Sequence, residues 1–254
     1  MNKVNLNFKK HANFIPQHHS LMRVLEGDSL TYIDSGFKSD TFNIIHIEDK
    51  NFTAESLKEG LSFIDNRLRV PCVWIDGADI TDKGLEVFDT LDMVRNDSSV
   101  MLSLDIKETT EYKPSSKISR TKQKQDIIDH AFVIANNWDP FDVEVLHYYN
   151  RASEFLLDQN NSLMFNYFDG EATVGVIELF IEPDQPTTAG IYNLSVLKEN
   201  RKQGIGFQLI QHALYTAQAL GVNNVVAHAS DDSVRLFEKL EFVKEGEIVE
   251  FGKK

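Results

Sequence analysis

The sequence predicts an α/β (α+β) protein made of two tandem halves, each a mixed, mostly antiparallel sheet flanked by helices. Three observations carry that expectation. Strand and helix patterns alternate along the second half. A helix-turn-strand pattern near the end of the first half returns near the end of the second. A polar stretch from Lys107 to Gln125, KETTEYKPSSKISRTKQKQ, divides the two.

The second half is read most readily. DVEVLHYYNRASEFLLDQ, from Asp142 to Gln159, spaces its apolar residues as a helix does. SLMFNYFDGEATVGVIELFI is a hairpin turning at Asp169-Gly170. GIYNLSVL is a strand, Phe207 to Leu220 a helix stopped by Gly221, and VNNVVAHA a further strand. Ser230 or Asp231 can cap the helix that follows. In the first half LTYIDSG and FNIIHIED read as strands, and a helix runs from about Ala54 to Leu68. The repeat is LEVFDTLDMVRNDSSVML against VRLFEKLEFVKEGEIVEF. Placing Phe88 on Phe237 sets Leu91 on Leu240, Asp92 on Glu241, Met93 on Phe242, Val94 on Val243 and Val100 on Val249. The expected organisation is a first domain over 1–112, a linker over 113–125 and a second domain over 126–254.

With 254 residues, 42% hydrophobic and 26% charged, the chain has the material for two buried cores. No apolar run approaches the roughly 20 residues needed to span a membrane. The N-terminal MNKVNLNFKKHANF has no secretory apolar stretch. The single cysteine, Cys72, sits in VPCVWI and reads as a buried, inert thiol, which suits a cytoplasmic location. A formal net charge of −13 argues against nucleic acid or an anionic membrane as partner. His11, His18 and His19 fit no metal-ligand spacing, so no metal is expected.

One short motif points to chemistry. Arg201-Lys202-Gln203-Gly204-Ile205-Gly206 lies between a strand and a helix. Glycines there let successive N–H groups face one concavity at a helix N-terminus, where the macrodipole favours an anion. Arg201 and Lys202 add positive charge. The spacing is neither a Walker loop nor GxGxxG, since Leu209 stands where the third glycine would fall.

The order hairpin, strand LSV, RxxGxG, long helix, strand, LFEKLEF resembles the GNAT superfamily of acyl-CoA-dependent N-acyltransferases, over about Ile127 to Phe251 and best over Asn193 to Phe242. The resemblance implies acetyl-CoA as acyl donor, its pyrophosphate on the amides of Gln203, Gly204, Ile205, Gly206 and Phe207 beside Arg201. Its pantetheine arm would lie along Leu194, Ser195 and Val196. In the family's final-helix pattern Ser230 falls at the asparagine, Ser233 at the alanine, Phe237 at the tyrosine and Glu241 at the glycine, while Phe242 agrees. The family's tyrosine often protonates the departing thiolate, and Phe237 has no proton to give. Three accounts stay open: an unassisted thiolate, another hydroxyl such as Ser230, Ser233 or Tyr192, or binding without efficient turnover. The first half lacks the glycine turn and reads as a degenerate copy.

The expected reaction is direct attack by a neutral primary amine on the thioester. An alkylammonium with a pKa of about 10 must first lose a proton. Glu178 in VGVIELF is the first candidate base, against its reading as an outward, solvated carboxylate. His228 in VVAHAS is another, against a structural role. Tyr192 can orient the acceptor or give a proton, and the resemblance implies that the N–H of Val196 meets the oxyanion. The acceptor is expected to be a small-molecule or peptide amine, and the acidic chain leans towards a cationic one such as a polyamine or aminoglycoside.

Overall fold

The computed structural model describes residues 2–254. The chain divides into two compact units. One holds the residues up to Met101 with Ala229–Asp232 and Lys244–Lys254; the other holds Leu102–His228 and Ser233–Val243.

The first unit runs α1 (Lys3–His18), β1 (Arg23–Glu26), β2 (Leu30–Asp34), β3 (Ile44–Ile47), α2 (Ala54–Asp65), β4 (Cys72–Asp76), α3 (Asp82–Thr90) and β5 (Met93–Asp105, counted here to Met101). Its sheet also takes in the last strand of the chain, β11 (Val243–Lys253), in the order β1-β2-β3-β4-β11-β5. β1, β2 and β3 form an antiparallel meander, and β3 and β4 are parallel, with α2 as their crossover. β11 runs antiparallel to β4, Val249 opposite Ile75 and Phe251 opposite Val73. This is why Lys244–Lys254 leave the half of the sequence that precedes them. Val249 and Phe251 complete the first unit's core, where the Phe251 ring stacks on Phe88 with centroids 3.8 Å apart.

The second unit continues with β6 (Ile118–Arg120), α4 (Lys124–Ala135), α5 (Val143–Leu157), β7 (Ser162–Asp169), β8 (Ala172–Ile181), β9 (Thr188–Val196), α6 (Ile205–Ala219), β10 (Asn224–Ala229, counted here to His228) and α7 (Asp231–Glu238, counted here from Ser233). The strand order is β10-β9-β8-β7-β6. β6 to β9 are antiparallel, and β10 returns parallel to β9 across the α6 crossover. The predicted hairpin, the helix from Asp142 and the helix closed by Gly221 (φ +80°) are all present. The polar stretch expected as linker is held down. Ser115 N donates to His212 Nδ1 at 3.3 Å, Gln218 Nε2 donates to the carbonyls of Lys107 and Thr110, and Tyr112 is buried.

The sequence repeat corresponds to α3-β5 and α7-β11. The two aligned turn residues, Asp92 (φ +54°) and Glu241 (φ +65°), both lie in the left-handed region. Two non-glycine residues sharing that uncommon conformation at matched positions mark one backbone design used twice. No helix among the described residues is long and apolar enough to cross a membrane, and no group of three or more His, Cys, Asp or Glu there could hold a metal ion.

Candidate active site

The site is organised by β8, β9 and the start of α6. Along β8, side chains alternate between faces. Gly175 meets α6: a Cβ there would come within 2.8 Å of Ile205 Cγ2 and 3.2 Å of Leu209 Cδ1. The absence of a side chain is what lets α6 begin this close to the strand. Glu178, three residues on, points to the opposite face, where α4 and α5 supply His130 and Tyr149.

β9 is not regular. Gly175 pairs with Val196 and Val176 with Ser195, but Glu178 pairs with Tyr192, so Asn193 and Leu194 together oppose Ile177. This is a β-bulge, with Asn193 at φ +56°. Side chains close around it. Glu178 is 3% exposed; its Oε1 accepts from Ser162 Oγ at 2.7 Å and its Oε2 from Asn193 Nδ2 at 2.7 Å. Asn193 Nδ2 also donates to Tyr149 Oη at 2.8 Å. The expected alternative, a solvated carboxylate on an outer face, is not what β8 presents.

Burial and then the Glu178 carboxylate push the phenols of Tyr148, Tyr149 and Tyr192 upward, with Glu182 adding to the shift at Tyr192. These tyrosines stay protonated at neutral pH and can donate hydrogen bonds, but they are weaker acids than a free phenol. His130 is fully buried, and burial pulls its imidazole down to about 4. Its Nδ1 donates to Asn166 Oδ1 at 2.8 Å, because Asn166 Nδ2 already donates to the carbonyl of Asp126.

The glycine turn follows β9. Residues Lys198–Asn200 make one 3₁₀ turn, Lys202 is left-handed at φ +61°, and Gly204 (φ +81°, ψ 5°) is the residue from which α6 starts. No side chain caps α6 and its first turn holds no acid. The amides of Ile205, Gly206 and Phe207 thus open a helix with no side-chain cap and no acid of its own first turn against the macrodipole. Nothing lies within 4 Å of where a Gly204 Cβ would stand, so the glycine serves the backbone angle, and the space above it is open. Arg201 turns back on the strand, its Nε donating to Val196 O at 3.0 Å and a terminal nitrogen to Asn137 Oδ1 at 2.6 Å. Asn137 Nδ2 in turn donates to Ser195 Oγ at 2.7 Å, tying the segment after α4 to β9.

Residues 129–242 match the family model described as Acetyltransferase (GNAT) family. Over these residues the second half of the chain is similar to GNAT acetyltransferases. Solved structures extend the likeness to the fold of the whole chain. A GCN5-related N-acetyltransferase from Kribbella flavida aligns with 100% of this chain and 96% of its own at a TM-score of 0.72 and 11% identity. A functionally unknown protein from Staphylococcus epidermidis aligns over 90% of this chain and 92% of its own, with TM-score 0.62 and 15% identity. A GCN5-related N-acetyltransferase from Sphaerobacter thermophilus aligns over 90% of this chain and 82% of its own, with TM-score 0.59 and 12% identity. No curated protein matches the sequence.

The structure gathers Glu178 and Tyr192 on one ladder rung and sets Leu194, Ser195 and Val196 along the strand that leads to Gln203–Phe207. Phe237 is buried in the second unit, edge to face with Phe242 at 5.1 Å, and Ser233 is half-buried one turn before it. Ser230 is exposed just ahead of α7 and counts with the first unit. His228 is half-buried, its ring 6.4 Å from that of Tyr192. Asn193, Tyr149, Ser162 and Asn137 escaped the sequence reading. The one signal for them is Asn193 itself, a residue disfavoured inside strands, set within IYNLSV.

Proposed function

We propose that the chain transfers an acetyl or other short acyl group from acetyl-CoA to a primary amine, by direct attack with both substrates bound. The observation that carries this reading is the uncapped start of α6 on a left-handed Gly204, at the end of the bulged strand β9. A diphosphate fits there. The amides from Gln203 to Phe207 would hold it, with Lys202 nearby, and Arg201 would act by bracing Val196. The pantetheine arm would follow Leu194, Ser195 and Val196, with Ser233 and Phe237 on its other side. Bound there, acetyl-CoA supplies an activated thioester.

The chain's own groups would do the rest. Glu178 takes the proton that an ammonium acceptor must lose, through the hydroxyls around its buried carboxyl. Tyr192, its Cα partner across the ladder, orients the acceptor and hands on the proton. A β9 amide, that of Val196, meets the developing oxyanion. A hydroxyl of the same unit, Ser233 or Tyr192, would protonate the thiolate, which is itself a tolerable leaving group. The acceptor class is a small-molecule or peptide amine, with a cationic amine favoured by the net charge of −13. This chemistry needs no metal, and the reading places the protein in the cytoplasm.

One observation favours a second reading, a coenzyme-A-binding protein with little turnover. Phe237, 2% exposed, stands where the family has a tyrosine. A thermal shift with acetyl-CoA, followed by assay of free thiol with polyamines, aminoglycosides and peptide N-termini, decides between them. Acyl transfer predicts both the shift and thiol release. A shift with no release from any amine supports the binding protein, and no shift removes both.

A further inference from the structure

The β9 bulge poses a problem that only a few residues solve. Its first residue must accept φ +56°, which costs most L residues about 1–2 kcal/mol. Glycine would do so most cheaply, and asparagine is among the few side chains that tolerate it. Asn193 brings something glycine cannot. Its amide nitrogen donates to Tyr149 Oη at 2.8 Å and to Glu178 Oε2 at 2.7 Å, joining α5 to β8 through the bulge. Aspartate would tolerate the backbone but set a second carboxylate beside Glu178. Two independent demands, a left-handed backbone and a double donor, meet in one residue type.

Glu178 lies among several titratable groups. It is buried, and the ionisable groups facing it are His130 from α4, Tyr148 and Tyr149 from α5 and Tyr192 from β9, with Glu182 just past β8 acting on Tyr192. Ser162 Oγ from β7 fixes one carboxylate oxygen, and Asn193 fixes the other. We propose that Asn193 is a positioning residue: it shapes the bulge and at the same time holds Glu178 and Tyr149 in the arrangement that acyl transfer uses. This rests on the acyl-transfer reading above. A bulge that formed merely to bend the strand would have no use for the side chain; here the bend and the orientation of the proposed base are one device.

The test is a titration of Glu178 by its side-chain carboxyl carbon resonance, without substrate, in the wild type, Asn193→Gly and Asn193→Asp. Removing a donor to the ionised form raises its pKa, and adding a neighbouring carboxylate raises it further. Asn193→Gly, which keeps the backbone conformation, is expected to move the midpoint up by about one pH unit, and Asn193→Asp by more. With amine and acetyl-CoA, Asn193→Gly is expected to lower kcat about tenfold or more while leaving KM for acetyl-CoA within about twofold, its acid limb moving with the Glu178 midpoint. If Asn193→Gly does not fold, Tyr149→Phe, which loosens the other arm, carries the test, with a smaller shift in the same direction. An unchanged Glu178 midpoint in the folded variant overturns the proposal, and so does a shifted midpoint with unaltered kcat. A wild type that turns over no amine fails the acyl-transfer reading instead, while the substrate-free titration still decides whether Asn193 controls Glu178.

Discussion

The helices α2 and α6 occupy the same place in their units, each the crossover between two parallel strands, and they begin in opposite ways. α2 opens on Thr53 with a reciprocal capping box: Thr53 Oγ1 accepts from Ser56 N at 3.1 Å and Ser56 Oγ from Thr53 N at 3.1 Å. Glu55 stands in its first turn. Two of its end amides are satisfied by the box, and its dipole is already met by a carboxylate. α6 opens on Gly204 with neither a cap nor an acid. A glycine N-cap in place of Ser, Thr, Asn or Asp forgoes roughly a few tenths of a kcal/mol of stability. The chain accepts that loss in one copy of the fold and avoids it in the other. One backbone design thus yields a bare helix start in the second unit and a capped one in the first.

The comparison can be broken most sharply at Gly204. Gly204→Glu places a β-carbon at φ +81° and a carboxylate over the open amides. Acetyl-CoA should then cause no thermal shift, while the variant's own melting point moves by only a few degrees; a normal shift would show that the phosphates bind elsewhere. The next effect concerns the first unit's dependence on the end of the chain. Phe251→Ala removes the ring stacked on Phe88 and should destabilise by about 3–5 kcal/mol in denaturant unfolding. A loss below about 1 kcal/mol would mean that β11 contributes little to that core.

Acid should destabilise both units through one buried histidine each. His46 in β3 and His130 in α4 are both pulled down by burial from 6.5 to about 4. Unfolding lets each take up a proton below pH 6.5, so stability is full above 6.5 and is lost as pH falls towards 4, by at most about 3 kcal/mol per residue. The two differ in their partners. Neither ring nitrogen of His46 has a hydrogen-bond partner among the described residues, whereas His130 holds Asn166. His46→Phe should therefore flatten the acid loss without cost at pH 7, and His130→Phe should flatten it but cost about 1–3 kcal/mol by orphaning Asn166. Equal costs at pH 7 would contradict this distinction. The smallest effect belongs to Thr53→Ala, about 1 kcal/mol of stability with acetyl-CoA binding unchanged. Weakened binding would place the first unit's turn in the cofactor site.

Much of the second unit was legible because its elements are local. Asp169-Gly170 names its hairpin, Gly221 ends its helix, and RxxGxG marks the turn into α6. The repeat was legible too, and its aligned residues Asp92 and Glu241 both lie in the left-handed region in the structure. The rest depends on distant parts of the chain. α1 escaped notice because its buried face carries Asn5, Asn7 and Asn13 among the apolar residues, which blurs the helical period. The destination of β11 is set by which strand it pairs with, a long-range choice that its alternating pattern does not encode. The link between Glu178, Asn193, Tyr149 and Ser162 joins four elements, and spacing along the chain says nothing of it.

The most direct test of the contrast between the two helix starts is a crystal structure of the full chain with acetyl-CoA bound. The account predicts one molecule, its diphosphate on the amides between Gln203 and Phe207, and no phosphate at Thr53. Phosphates seated at α2, or lying away from the start of α6, would contradict it.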